Sequence, residues 1–187
     1  MEQLEKDLGV SLIRVEPIHG PTLIAEGFPT RHPVEVEPTR PEVISLTATH
    51  VQILQTALQN GMESVAIFED DAKVVAPITE SLAGIPADWD ILFLGISQMV
   101  QGERFQNYRK ILRSYGTHAL LVRGSCIPKI LESYVQSQKN GYAIPADWLY
   151  SGATKVHKLK AYAPLENCVG WVTGIPNTLK PGTIRYD

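Results

Sequence analysis

The sequence contains few cysteines, no long apolar run and no excess of positive charge. Its 187 residues include two cysteines, Cys126 and Cys168, too few for a disulfide framework or a zinc knuckle, which favours a reducing compartment. No stretch approaches the roughly 18 consecutive apolar residues of a membrane span, and the charged N-terminus is not a signal-peptide pattern. A net charge of −3 argues against nucleic acid as the main partner. These absences predict a cytoplasmic protein without a transmembrane segment.

The apolar content is sufficient for one large core. Hydrophobic residues make up 44% of the chain, and a chain of this length can close such a core without structural metals. We therefore predict a single domain over residues 1–187. Five prolines between Pro21 and Pro41 predict a long surface loop at about residues 20–45, because proline disrupts helix interiors and central strands.

Helical and strand patterns alternate along the chain. Apolar spacing and capping residues predict helices at 1–8, from Thr47 or Thr49 to Asn60-Gly61, and at 125–140. Short runs of apolar and β-branched residues predict strands at 10–15, 64–68, 90–94, 117–122 and 158–163. The run at 64–68 has little polar alternation, which is typical of a central strand. The alternation predicts an α/β fold with a mainly parallel sheet covered by helices on both faces.

Three consecutive acids, Glu69, Asp70 and Asp71, follow the apolar strand at 64–68. The carboxyl edge of an open α/β sheet is where such folds bind ligands. Adjacent carboxylates repel one another unless a cation lies between them, and Mn²⁺ or Mg²⁺ accepts oxygen ligands of this kind. The alternative is a solvated acidic turn in which Asp70 or Asp71 caps the next element.

Four further blocks accompany the triplet in a fixed order. They are Thr49-His50, Trp89 to Gly95, Gly116-Thr117-His118-Ala119, and Pro145-Ala146-Asp147-Trp148. Together with Val65 to Asp71, this order resembles glycosyltransferase family 25, which includes lipopolysaccharide-assembly and collagen galactosyltransferases. The resemblance covers roughly residues 8–175 and implies a GT-A type fold.

The resemblance also implies roles for particular residues. Glu69, Asp70 and Asp71 would hold Mn²⁺ or Mg²⁺ against the phosphates of a UDP-sugar donor, and His50 and His118 would contact or support the donor. Asp147 would act as the base that deprotonates the acceptor hydroxyl, and its alternative role is that of a helix N-cap. Both histidines have the alternative of being ordinary buried, hydrogen-bonded residues. Trp89, Trp148 and Trp171 are candidates for stacking on sugar or uracil, with Trp148 favoured because it adjoins Asp147.

The implied activity is transfer of galactose or glucose to a hydroxyl of a glycan or lipid-linked acceptor, by inversion. Family members begin with a strand and an Asn-Leu-Asp-Arg type turn that helps to hold the nucleotide, and this chain starts at what resembles the following helix. The alternative is therefore a degenerate module that keeps the fold but only binds a glycan or a protein. Metal-assisted phosphoester hydrolysis is a weaker alternative, since it normally calls for His ligands or further acidic clusters, which are not evident in the sequence.

Overall fold

The computed structural model describes residues 2–171. It shows an α/β fold built on a six-stranded mixed sheet and a two-stranded sheet. The helices are α1 Glu2–Leu8, α2 Gly20–Ala25, α3 Pro41–Gln59, α4 Ile78–Ser81, α5 Ile127–Lys139 and α6 Ala146–His157. The strands are β1 Ser64–Phe68, β2 Ala72–Val74, β3 Ile91–Gly95, β4 Gln98–Arg104, β5 Tyr108–Tyr115, β6 Ala119–Arg123, β7 Ala161–Pro164 and β8 Val169–Trp171. None of the described helices is long and apolar enough to cross a membrane.

The prediction of a mainly parallel sheet is wrong. The strand order is β1-β6-β3-β7-β5-β4, and among the strands described only β3 and β7 pair in parallel. The cause is a hairpin, β4–β5, in the segment between Gly95 and Thr117, where no element was predicted. A hairpin reverses the chain without a helical crossover, so β6 enters between β1 and β3 antiparallel to both.

The two faces of the large sheet are covered differently. Helices α3, α5 and α6 pack over one face with Ile67, Phe93 and Leu120. The other face, with Leu94 and Ala119, is covered by the short helix α1 and the small sheet β2–β8. Helices alone were predicted on both faces, and a small antiparallel sheet takes much of that place on the second face.

Several predicted elements are confirmed and others are wrong. Helices α1 and α5 and strands β1, β3, β6 and β7 lie within a few residues of the prediction. Strand β1 is at the edge of the sheet, not its centre, and the predicted strand at 10–15 has no regular structure. Helix α6 was not predicted, although a helix N-cap was one of the two roles considered for Asp147.

Helix α3 starts earlier than its sequence pattern indicated. It begins at Pro41, whose fixed φ suits the first turn. The hydroxyls of Thr47 and Thr49, the predicted capping residues, instead donate to the carbonyls of Val43 and Ser45 one turn back. The proline-rich segment before it contains the short helix α2. The Asn60-Gly61 end of α3 is confirmed, with Gly61 at a φ of +63°.

Gly95 allows β8 to cross the end of β3, and we expect Gly95→Ala to be destabilising. A Cβ at this position would lie 2.3 Å from the carbonyl oxygen of Val169, so the backbone of β8 would have to move. Overpacking of this kind costs about 1–3 kcal/mol, measurable as a loss of unfolding free energy in urea. Gly152→Ala is the control, since that helical glycine has open space around it and alanine gains up to about 1 kcal/mol in a helix. Equal effects of the two substitutions would contradict the close crossing.

Candidate metal and substrate site

One edge of the large sheet brings together most of the candidate residues. Because β6 runs antiparallel between β1 and β3, its first residues meet the carboxyl ends of both strands. The backbone N–H of Glu69 donates to the carbonyl of His118 at 2.9 Å. Likewise, the N–H of Ser97 donates to the carbonyl of Tyr115 at 2.9 Å. The acidic triplet, the Gly-Thr-His-Ala block and the end of β3 therefore adjoin.

A possible cation site lies at this edge, formed by Glu69, Asp71 and His118. Each offers one ligand atom, and these atoms lie within 4.8 Å of one another. Asp70, which the sequence also suggested as a ligand, is exposed and lies outside this group. The chain turns sharply after β1, with the N–H of Ala72 donating to the carbonyl of Glu69 at 3.0 Å. Glu69 and Asp71 therefore share the site while Asp70 does not.

Glu69 is the most highly connected side chain of the site. Its Oε1 accepts from the Thr117 hydroxyl at 2.6 Å and lies 3.9 Å from Nε2 of His50. Its Oε2 lies 3.4 Å from Nδ1 of His118. Burial raises the pKa of Glu69, but the His118 hydrogen bond, His50 and Thr117 together outweigh it and leave the pKa below its usual value. Glu69 is therefore a carboxylate at neutral pH.

His118 is held from both sides of its ring. Its Nε2 lies 2.9 Å from the Ser97 hydroxyl, and its Nδ1 faces Glu69. Burial lowers the pKa of His118, but the hydrogen bond and charge of Glu69, with Asp71, overcome this and raise the pKa above its usual value. When no cation is bound, Glu69 and Asp71 therefore favour the protonated form of the His118 ring. A divalent cation would replace that proton.

Asp71 is the residue that best fits a cation ligand. Its Oδ1 is buried and has no hydrogen-bond partner among the residues that the structure describes. Burial, followed by the negative charge of Glu69, raises its pKa above the usual value. A buried carboxylate oxygen without a donor is costly unless a positive charge satisfies it. Two carboxylates and one imidazole suit Mn²⁺ better than Mg²⁺, and Zn²⁺ and Fe²⁺ accept similar donors.

His50 lies behind Glu69 in the protein interior. It is 2% exposed, and its Nδ1 lies 3.0 Å from the hydroxyl of Tyr150 on α6. Burial lowers the pKa of His50 against the opposing effect of Glu69, so the ring is neutral at physiological pH. The sequence suggested His50 as a donor contact or as a buried histidine, and the geometry places it as a support for Glu69.

Asp147 stands in the first turn of α6, beside the same edge. Its Oδ2 accepts from the N–H of Gly116 at 3.3 Å, and its Oδ1 accepts from the N–H of Trp148 at 2.9 Å. Burial raises its pKa against these two hydrogen bonds. The N-cap position itself belongs to Pro145. Asp147 therefore connects α6 to the loop before β6.

Sequence reasoning missed four residues of the site: Ser97, Gly116, Thr117 and Tyr150. Gly116 has a φ of +80°, and a Cβ there would lie 2.8 Å from the Ser97 hydroxyl oxygen. Gly116 and Thr117 belong to the Gly-Thr-His-Ala block that was singled out, although no role was assigned to them. Ser97 and Tyr150 carry no sequence signal, because only the fold places their hydroxyls beside His118 and His50. The side chain of Trp171, a stacking candidate, lies outside the described part of the chain.

The contact between Glu69 and His118 predicts that Glu69 controls the pKa of His118 in the metal-free protein. We expect Glu69→Gln to lower the pKa of His118, because burial would then act without the opposing carboxylate. A proton NMR titration of the His118 ring signals measures this shift. An unchanged His118 titration would contradict the pairing.

The same shifts determine how the unfolding free energy changes with pH. The raised pKa of His118 gives a contribution that is complete below pH 6.5 and is lost as the pH rises through the folded value. The lowered pKa of Glu69 gives one that is lost as the pH falls through its folded value. The buried neutral His50 adds a loss below its usual pKa. Urea titrations should therefore show that the unfolding free energy decreases both as the pH falls through the Glu69 and His50 range and as it rises through the folded pKa of His118.

No family model matches the chain, and no curated protein matches it significantly. The resemblance to glycosyltransferase family 25 therefore rests on the quoted residues and their order.

Proposed function

We propose that this chain is a metal-dependent glycosyltransferase that transfers galactose or glucose from a UDP-sugar to a hydroxyl of a glycan or lipid-linked acceptor. The observation that carries the proposal is the buried Oδ1 of Asp71, which lacks a hydrogen-bond partner in the described part of the chain and lies beside Glu69 and His118 at one sheet edge. A GT-A type fold and a cytoplasmic location belong to the same proposal. The two buried free thiols support a reducing compartment.

The residues of the chain would divide the work between donor and acceptor. Glu69, Asp71 and His118 would hold Mn²⁺, which when bound neutralises the charge of the departing nucleoside diphosphate. Thr117 and His50 keep Glu69 in place, and Ser97 orients the His118 ring. The hydrogen bonds from Thr117 to Glu69 and between Ser97 and His118 fix the ligand atoms before any substrate arrives, which reduces the cost of reorganisation.

Asp147 would serve the acceptor. In an inverting displacement the acceptor oxygen bonds to the anomeric carbon as the bond from that carbon to UDP breaks, and UDP leaves with the electron pair. The acceptor proton passes to the Asp147 carboxylate. Burial raises the pKa of this group, which makes its carboxylate a stronger base than that of an exposed aspartate.

A binding module without catalysis is the second candidate, and one observation favours it. Both carboxylate oxygens of Asp147 accept backbone N–H groups, as expected of a structural aspartate. A carboxylate oxygen can accept a second hydrogen bond, so these contacts leave room for an acceptor hydroxyl.

Release of UDP from UDP-galactose and UDP-glucose tests the proposal, with Mn²⁺ and separately with EDTA. We expect slow, Mn²⁺-dependent release even with water as the acceptor, and faster release once a suitable acceptor is added. A folded protein that binds UDP and Mn²⁺ but releases no UDP would support the binding module instead.

A further inference from the structure

The Arg113 guanidinium, which has no acidic partner among residues 2–171, stacks on the ring of Trp148, the residue that follows Asp147. The Arg113 Cζ atom stands 4.5 Å from the ring centre of Trp148 and 4.7 Å from that of Tyr115. Trp148 follows Asp147 in the chain, and Tyr115 precedes Gly116, whose N–H binds Asp147. The two rings therefore hold Arg113 against the segments that carry Asp147 and its backbone partner Gly116.

Trp148 is itself held in place. The ring of His32 meets it edge-on at 5.2 Å, and Nδ1 of His32 accepts the N–H groups of Val34 and Glu35. Arg113 is thus stacked on a ring that is fixed from another side. A stacked arginine loses less conformational freedom when it binds a ligand, because the planar group is already oriented.

The guanidinium N–H groups of Arg113 have no hydrogen-bond acceptor among the residues that the structure describes. Among residues 2–171, no carboxylate pairs with this side chain and no hydrogen bond satisfies its guanidinium. Arg123 offers a direct contrast, since its Cζ also lies 4.5 Å from a tryptophan ring centre, that of Trp89. Arg123 donates to the carbonyls of Trp89 and Ala87. The stacked Arg123 guanidinium is used in structural hydrogen bonds, whereas the stacked Arg113 guanidinium keeps its N–H groups available for a ligand.

We propose that Arg113 binds an anionic group of the acceptor, a phosphate or a carboxylate carried by a sugar, while the acceptor hydroxyl faces Asp147. This inference rests on the proposed transferase function and names its substrate class. The planar fork of arginine matches the oxygens of both anions and forms two parallel hydrogen bonds. Mn²⁺ held by Glu69 and Asp71 would offset their charges but not that of Asp147, so a further cation favours an anionic acceptor at this edge. Arg113 supplies that charge.

Calorimetric titrations with three sugars test the proposal. The probes are a hexose 6-phosphate, a hexuronic acid and the corresponding neutral hexose, each titrated into the wild type, Arg113→Gln and Arg123→Gln. We expect the wild type to bind at least one charged sugar more tightly than the neutral hexose. The Arg113→Gln protein should lose about tenfold or more of that affinity, as hydrogen bonds to charged groups indicate, while Arg123→Gln should keep it. The stronger of the two charged probes identifies the anion.

Other outcomes of these titrations overturn the proposal. Equal binding of charged and neutral sugars would do so, as would an Arg113→Gln protein with unchanged affinity. Arg113→Lys, which keeps the charge but not the fork, replaces the Gln variant if thermal melts show that the latter is unfolded, and an intermediate loss is then expected.

A titration of UDP with Mn²⁺ separates this inference from the function on which it rests. The Arg113→Gln protein should bind UDP as the wild type does. Loss of UDP binding in this variant, with sugar binding unchanged, would assign Arg113 to the donor and overturn the acceptor assignment. A wild type that fails to bind UDP, but whose charged-sugar binding depends on Arg113, would defeat the transferase function and leave the anion site standing.

Discussion

We expect Asp71→Asn to abolish Mn²⁺ binding and Asp70→Asn to leave it nearly unchanged. The two residues are adjacent and carry the same charge, but only Asp71 shares the group with Glu69 and His118. Groups that merely hydrogen-bond to a metal ligand change metal affinity by about 10–100-fold. Removing a ligand oxygen should therefore cost at least about 100-fold. Titration of Mn²⁺ followed by electron paramagnetic resonance of the free ion measures both affinities.

Stability measurements provide the control for this pair of variants. The pKa of Asp71 is raised by burial and then by Glu69, so its ionised form weakens the metal-free fold above that pKa. The Asp71→Asn protein without metal should unfold at the same urea concentration as the wild type or a higher one. Loss of metal binding would then not reflect unfolding. Equal losses in the two variants would restore the three-acid site expected from sequence, and an unaffected Asp71→Asn protein would rule out this group.

The second large effect concerns Asp147. We expect Asp147→Asn to reduce turnover about 10²–10⁴-fold, the usual contribution of a general base, while UDP binding with Mn²⁺ changes little. Asparagine has nearly the same shape and can still accept one backbone N–H, but it cannot take a proton from an acceptor hydroxyl. Rates of UDP release with acceptor present measure the loss of turnover, and calorimetry with UDP measures donor binding separately.

Asp90 supplies a matched control for Asp147. Its Oδ2 also accepts a backbone N–H, that of Lys160, at 2.7 Å. It precedes β3, at the opposite end of the strand from Ser97. We expect Asp90→Asn to leave turnover within a few-fold of the wild type. Similar losses from both substitutions would show that Asp147 matters only for structure.

The local elements follow from the sequence because apolar runs and turn residues determine them. The run Ser64–Phe68 and the Asn60-Gly61 end of α3 both appear where they were predicted. Strand direction does not follow in the same way, because the hairpin β4–β5 lies in a polar segment with little alternation. That hairpin makes β6 antiparallel to its neighbours. The sheet is therefore mixed, whereas a mainly parallel sheet was expected.

The acidic residues and histidines of the candidate site were singled out from the sequence, but its hydroxyls and its glycine were not. The Glu-Asp-Asp triplet and His118 were both identified, yet separately, because only the antiparallel pairing of β1 with β6 joins Glu69 to His118. The backbone turn after β1 then separates Asp70 from Asp71. Ser97 and Arg113 lie in the segment without a sequence motif, so their positions become evident only in three dimensions.

The most direct test of the central claim is calorimetric titration of UDP into the wild-type protein, with Mn²⁺ and with EDTA. A donor site formed around Glu69, Asp71 and His118 should bind UDP in the presence of Mn²⁺ and lose that binding when the metal is removed. A folded protein that takes up Mn²⁺ but binds no UDP would contradict the transferase assignment.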